Sequence, residues 1–205
     1  MPRRNSPRSE NLRRAIAQEA ARVMAEHGIQ DFRAAKRKAA ERFGVAEEGS
    51  LPSNAEVEAS LLEYQRLFAA DTHGVTLRAQ RGVALRAMRS LAAFTPRLVG
   101  PVLTGTATPH NDVQLHLFAD RPEAVALNLL DHGVGHDVGE HRLRIDAERF
   151  QVFPSVQFEI DAQMIDATVF PVDGIRQAPI SPVDGRPMRR ADASELEALL
   201  AEGGS

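Results

Sequence analysis

Residues Leu98 to Ala119 read LVGPVLTGTATPHNDVQLHLFA. Leu98 and Val99 close an apolar strand that runs into Gly100, and a Gly/Thr-rich turn follows. Val113, Leu115 and Leu117 then alternate with Asp112, Gln114 and His116. Successive side chains of a β-strand point to opposite faces, so Asp112, Gln114 and His116 share one face and the apolar residues the other.

Working outward, Thr76 to Phe94 predicts a helix before this strand-turn-strand unit. Arg121-Pro122-Glu123 opens another after it, whose apolar run Val125 to Leu130 ends at Gly133. Strand-like segments follow at about Arg142 to Ile145, Gln151 to Ile160 and Met164 to Phe170. The last carries one acid, Asp166, with Thr168 and Phe170 on its face. Asp161 and Ala162 interrupt two strand-like runs, which fits a hairpin turn, although Asp161 and Glu159 also stand behind Asp166 as acids for a site. The tail RQAPISPVDGRPMRRAD reads as an ordered loop or extended arm, and Ser194 is expected to cap a short helix, Glu195 to Ala201.

Upstream, a Pro/Arg/Ser lead is expected to be flexible. Ser9 and Glu10 then open a helix in which Leu12, Ile16, Ala20, Val23 and Met24 recur at helical spacing until Gly28. A second helix, Phe32 to Phe43, carries Lys36-Arg37-Lys38 and ends at Gly44. The segment Gly49 to Asn54 reads as a loop, with Ser53 or Asn54 capping a third helix that contains Val57, Leu61, Tyr64 and Phe68. Asp71 to Gly74 reads as a linker. The expected division is therefore a helical, basic region over 1–72 and a sheet domain over 73–205, with helices first and a mixed sheet later giving an α+β class.

Composition narrows the chemistry. The 205 residues include no cysteine, which removes disulfides, thiolate nucleophiles and cysteine-based zinc sites. Net charge is −3, yet residues 1–42 hold eleven Lys/Arg against five Asp/Glu. That asymmetry fits an anionic partner for the N-terminal part, either nucleic acid or an acidic protein, and it equally fits a solvated basic face. No run approaches the roughly 18 apolar residues of a membrane span, so a cytoplasmic protein without membrane contact is expected. The sequence contains no P-loop, no G-x-S-x-G and no H-E-x-x-H. His132 and His136 are four apart, but Gly133 and Gly135 between them argue against a metal-binding helix face, and they read as polar loop residues.

The spacing after Gly100 resembles the minimal nucleotidyltransferase signature, in which Gly-Ser is followed by ten residues and then Asp-x-Asp. Here Gly100-Pro101 is followed by Val102 to Asn111 and then Asp112-Val113-Gln114. The resemblance covers about Leu77 to Phe170 and implies a small nucleotidyltransferase-like mixed sheet that binds a nucleoside triphosphate or another phosphorylated ligand. It also implies Mg²⁺ held by Asp112 and a third-strand acid, for which Asp166 is the match. Gln114 would complete or orient that shell, Gly100, Thr104, Gly105 and Thr106 would cradle phosphate, and His116 would contact the ligand.

Two positions depart from the signature. Pro101 stands where the family has Ser and offers neither a hydroxyl nor an N–H. Gln114 stands where the family has Asp and offers a neutral carbonyl, a weaker ligand for a hard cation. The resemblance therefore implies either a transferase with an altered site or a non-catalytic binding or regulatory module on the same fold.

Overall fold

The computed structural model describes residues 7–45 and 51–202; the N-terminal lead and part of the Gly49 to Asn54 loop lie outside them. The chain forms an α+β protein of two compact units. One contains the first helices together with residues 108–111 and 182–184, and the other holds residues 74–107, 112–181 and the chain from Gly185 onward.

In the first unit, α1 (Pro7–His27), α2 (Phe32–Arg42) and α3 (Asn54–Phe68) bury one stripe each. Ile16, Ala20, Val23 and Met24 of α1 meet Ala35 and Ala39 of α2 and Val57 of α3 in one apolar cluster, as their helical spacing requires. Asp31 caps α2 by accepting from the Ala34 amide. Ser53 caps α3 in a reciprocal box with Glu56.

The expected linker at Asp71 to Gly74 is helical instead: α4 spans Ala70–Ser90 without a break. No proline interrupts that segment, and a lone glycine in a helix costs only about 1 kcal/mol against the gain of continuing it. A short 3₁₀ turn, Ala92–Phe94, ends where Thr95 adopts a left-handed conformation.

The sheet of the second unit contains β1 (Arg97–Val99), β2 (Val113–Phe118), β3 (His136–Arg144), β4 (Phe150–Ile160) and β5 (Gln163–Phe170). Their order is β1-β2-β5-β4-β3. The β2–β5 pair is parallel and every other pair antiparallel. A helix, α6 (Glu123–Asp131), lies between β2 and β3 in the chain. Asp161 and Ala162 both have positive φ, 51° and 61°, and make the tight turn between β4 and β5. That is the geometry of a two-residue hairpin loop matched to strand twist.

One sheet face is apolar throughout. Val113, Leu115, Leu117, Val156, Phe158, Ile165, Ala167 and Val169 pack with Met88 and Leu91 of the α4 region, Leu129 of α6 and Leu196 of α7 (Ala193–Glu202). Full burial of each such large side chain stabilises by about 1.5–3 kcal/mol.

Two further sequence expectations shift. β3 begins at His136, six residues before the expected Arg142, and so takes in His136 itself, which had read as a loop residue. It is an edge strand whose residues are mostly exposed, so it needs no apolar alternation and leaves little periodic signal. Asp192, not Ser194, caps α7: its carboxylate accepts from the Glu195 amide at 3.0 Å while the Glu195 carboxylate accepts from the Asp192 amide at 2.8 Å. The arm before α7 joins the sheet edge, with Leu98 and Ala191 exchanging backbone hydrogen bonds of 2.8 and 2.9 Å. Among the described residues no helix is long and apolar enough to cross a membrane.

Candidate functional site

The face of the sheet opposite the main apolar core carries the polar residues, bordered by a smaller aromatic cluster of Phe118, Phe153 and Phe170. In the shared register Gln114 of β2 pairs with Asp166 of β5, and Asp166 with Gln157 of β4. The next row is Arg97, His116, Thr168, Ser155 and Gly139. Asp112 immediately precedes β2. Parallel pairing of β2 and β5 therefore brings Asp166 to the strand that carries Asp112, Gln114 and His116, from which it is distant in sequence.

The Gly100 to Thr106 segment differs from the expected open turn. Residues Gly100–Thr104 form a short helix, α5, with Pro101 in its first turn, where a missing N–H and a fixed φ are favourable. Gly105 closes α5 in the left-handed conformation, and the amides of both Gly105 and Thr106 donate to the Pro101 carbonyl at 2.9 and 3.1 Å. Those amides thus finish a helix rather than face a ligand. Thr104 and Thr106 keep their hydroxyls, which lie 3.1 Å apart. Gly100 has φ +70°, and a Cβ there would overlap the side-chain oxygen of Gln114. Gln114 is accordingly folded against the backbone of Gly100, and only glycine leaves room for it.

Asp166 is nearly buried, its side chain 13% exposed, and His141 Nε2 lies 3.1 Å from its Oδ1. That oxygen has no other partner among the described residues. His141 reaches it across the row occupied by Gly139 and Ser155, both small. The hydrogen bond and charge of Asp166 raise the His141 pKa above the usual histidine value, against the opposing effect of burial.

His116 is 3% exposed, its ring 4.6 Å from that of Phe170. Burial, and then the charges of Arg190 and His141, push its pKa down to about 3, so it is neutral across the physiological range. Arg190 Nε donates to His116 Nδ1 at 3.0 Å, which leaves the His116 proton on Nε2.

The Mg²⁺ implied by the resemblance is poorly served by this donor set. Gln114 is neutral and packs against Gly100, Asp166 lies beside His141, and among the described residues no group of three or more His, Asp or Glu side chains is placed to hold a metal ion.

Sequence reasoning passed over two members of the site, His141 and Arg97, and named a third, Arg190, only as one of four tail arginines able to meet a triphosphate or an acidic surface. His141 lies in the part of β3 that carries no periodic signal. Arg97 stands just before a two-residue apolar run, and Arg190 belongs to an arm whose pairing with Leu98 is long-range. In the helical unit, Lys36 donates to the Pro52 carbonyl at 3.0 Å, and burial lowers its pKa. Arg37 and Lys38 are exposed. Arg13 pairs with Glu56, and Arg22 and Arg42 with Glu19, so part of the basic excess is neutralised within the unit.

Comparison with protein-family models, with characterised proteins and with solved structures gave no match.

Proposed function

We propose that this chain binds a nucleoside triphosphate or another phosphorylated ligand on the polar face of a nucleotidyltransferase-like sheet, as a non-catalytic binding or regulatory module. The observation that carries the reading is the state of the would-be carboxylate set. Its second position is Gln114, held against Gly100, and its third, Asp166, is already paired with His141. A site built for two-carboxylate metal chemistry leaves those oxygens to the cation. Here one is replaced and the other is already engaged by His141, while arginines on the same face supply positive charge.

The second reading, metal-dependent nucleotidyl transfer, has one observation in its favour. The β2–β5 register sets Asp166 beside Gln114, two residues from Asp112, which is the neighbourhood a transferase of this kind requires.

Thermal unfolding against a panel of nucleoside triphosphates, with and without Mg²⁺, separates the two. Binding to the native state at a hundredfold excess over Kd adds about 2.7 kcal/mol of stability. The binding-module reading expects that gain with EDTA present and no release of pyrophosphate. A shift that appears only with Mg²⁺ and disappears in Asp112→Asn would transfer the conclusion to catalysis, and no shift with any nucleotide would end the nucleotide reading.

A further inference from the structure

Arg97 and Arg190 both stand at His116 on the polar face of the sheet. Arg97 is the cross-strand partner of His116 on the polar face. Arg190 comes from the C-terminal arm; because Ala191 pairs with Leu98 on the core side, its neighbour Arg190 falls on the polar side. The Arg190 guanidinium lies over the rings of Phe118 and Phe170, 5.0 and 5.1 Å from their centroids. Its Nε donates to His116 and its Nη1 to the carbonyls of Gly174 and Ile175 at 3.0 and 3.2 Å, whereas Nη2 is buried with no acceptor among the described residues. Among the described residues Arg97 donates only to the carbonyl of its own neighbour, Pro96, at 3.1 Å.

Among the described residues neither arginine has a carboxylate within ion-pair distance. Burial, together with the like charge of Arg97, lowers the Arg190 pKa to about 10. Ring faces and carbonyls offset part of the cost of burying one cation. They do not account for a second cation set beside it, since like charges in a partly desolvated place repel. A clamp on residues 174 and 175 has no use for Arg97. An oxyanion seated between the two does, because a guanidinium fork matches its geometry.

We infer that Arg97 and Arg190, with the neutral Nε2–H donor of His116, form the subsite for a phosphoryl oxyanion of the ligand. The phosphate end of the site is then the His116 row of the sheet and not the Gly105-Thr106 turn, whose amides are spent on Pro101. This rests on the ligand class proposed above.

Titration calorimetry on the full chain in EDTA at low salt, with ATP and with inorganic tripolyphosphate, tests it. Arg97→Gln is expected to weaken binding by about tenfold through loss of a charge-assisted contact, and Arg190→Lys by several-fold through loss of the fork. Thr104→Val with Thr106→Val is expected to bind as the parent does. Arg97→Gln should also raise the melting temperature of the ligand-free protein, since it removes a repulsion, and a purely structural arginine would not show that. Equal affinity for the two probes would point to a phosphate source without a base, and tighter ATP binding to a nucleotide, with the loss in the arginine variants supporting the subsite in both cases. Unchanged affinity in both arginine variants, or loss in the threonine pair instead, overturns the subsite while leaving the ligand class standing. If the parent binds neither probe, the proposed function itself fails and the subsite with it.

Discussion

His116 shows how one residue of the polar face sets a property of the whole chain. Its imidazole is buried against Phe170 and Arg190, and its folded pKa of about 3 lies far below the ordinary histidine value of 6.5. The unfolded chain therefore takes up a proton as pH falls below about 6.5 while the native state does not, and stability falls with pH at up to about 1.4 kcal/mol per unit. His141 acts in the opposite sense. Its pKa is raised by Asp166, so its contribution is complete below the unfolded value and is lost as pH rises through the folded one. His116 is the more buried of the two, so urea unfolding between pH 5 and 8 should show stability declining toward acid, and His116→Asn should flatten that slope. An unchanged slope in the variant would place the acid sensitivity elsewhere.

At the scale of elements, the sequence spoke clearly where burial imposes a period and poorly where it does not. β2 and β5 were legible because Val113, Leu115 and Leu117, and Ile165, Ala167 and Val169, alternate with polar residues and all reach the core. The first half of β3 was illegible because an edge strand in solvent has no buried side to repeat. α7 was found, but its start was misplaced. Ser194 looked like the cap, whereas the Asp192 and Glu195 pair satisfies two backbone amides at once and so outcompetes a single hydroxyl. Asp192→Ala should consequently destabilise the protein by about 1 kcal/mol, and Ser194→Ala should change it by less than half of that. Denaturation midpoints of the two variants decide between the caps, and a larger effect at Ser194 would show that the box does not hold in solution.

For the molecule as a whole, the site depends on contacts that no local pattern encodes. Gln114 and Asp166 were each visible as candidates, but their adjacency comes from β2 and β5 pairing in parallel across the intervening α6, β3 and β4. Arg190 reaches His116 only because the arm is hydrogen-bonded to β1 and continues into α7, whose Leu196 is fully buried in the sheet unit's core. The arm is thus tied to the sheet edge at Ala191, and that part of it should unfold with the sheet. Amide hydrogen exchange measures this directly: the amides of Leu98 and Ala191, which bond each other's carbonyls, are expected to exchange as slowly as those of Leu115 and Ala167 in the central strands. Leu196→Ala, which leaves a cavity at a cost of about 2–5 kcal/mol, should then lower the protection of all four together. Fast exchange at Leu98 and Ala191 with slow exchange at the centre would make the arm a separately opening segment, and the Arg190–His116 contact would close and release with it.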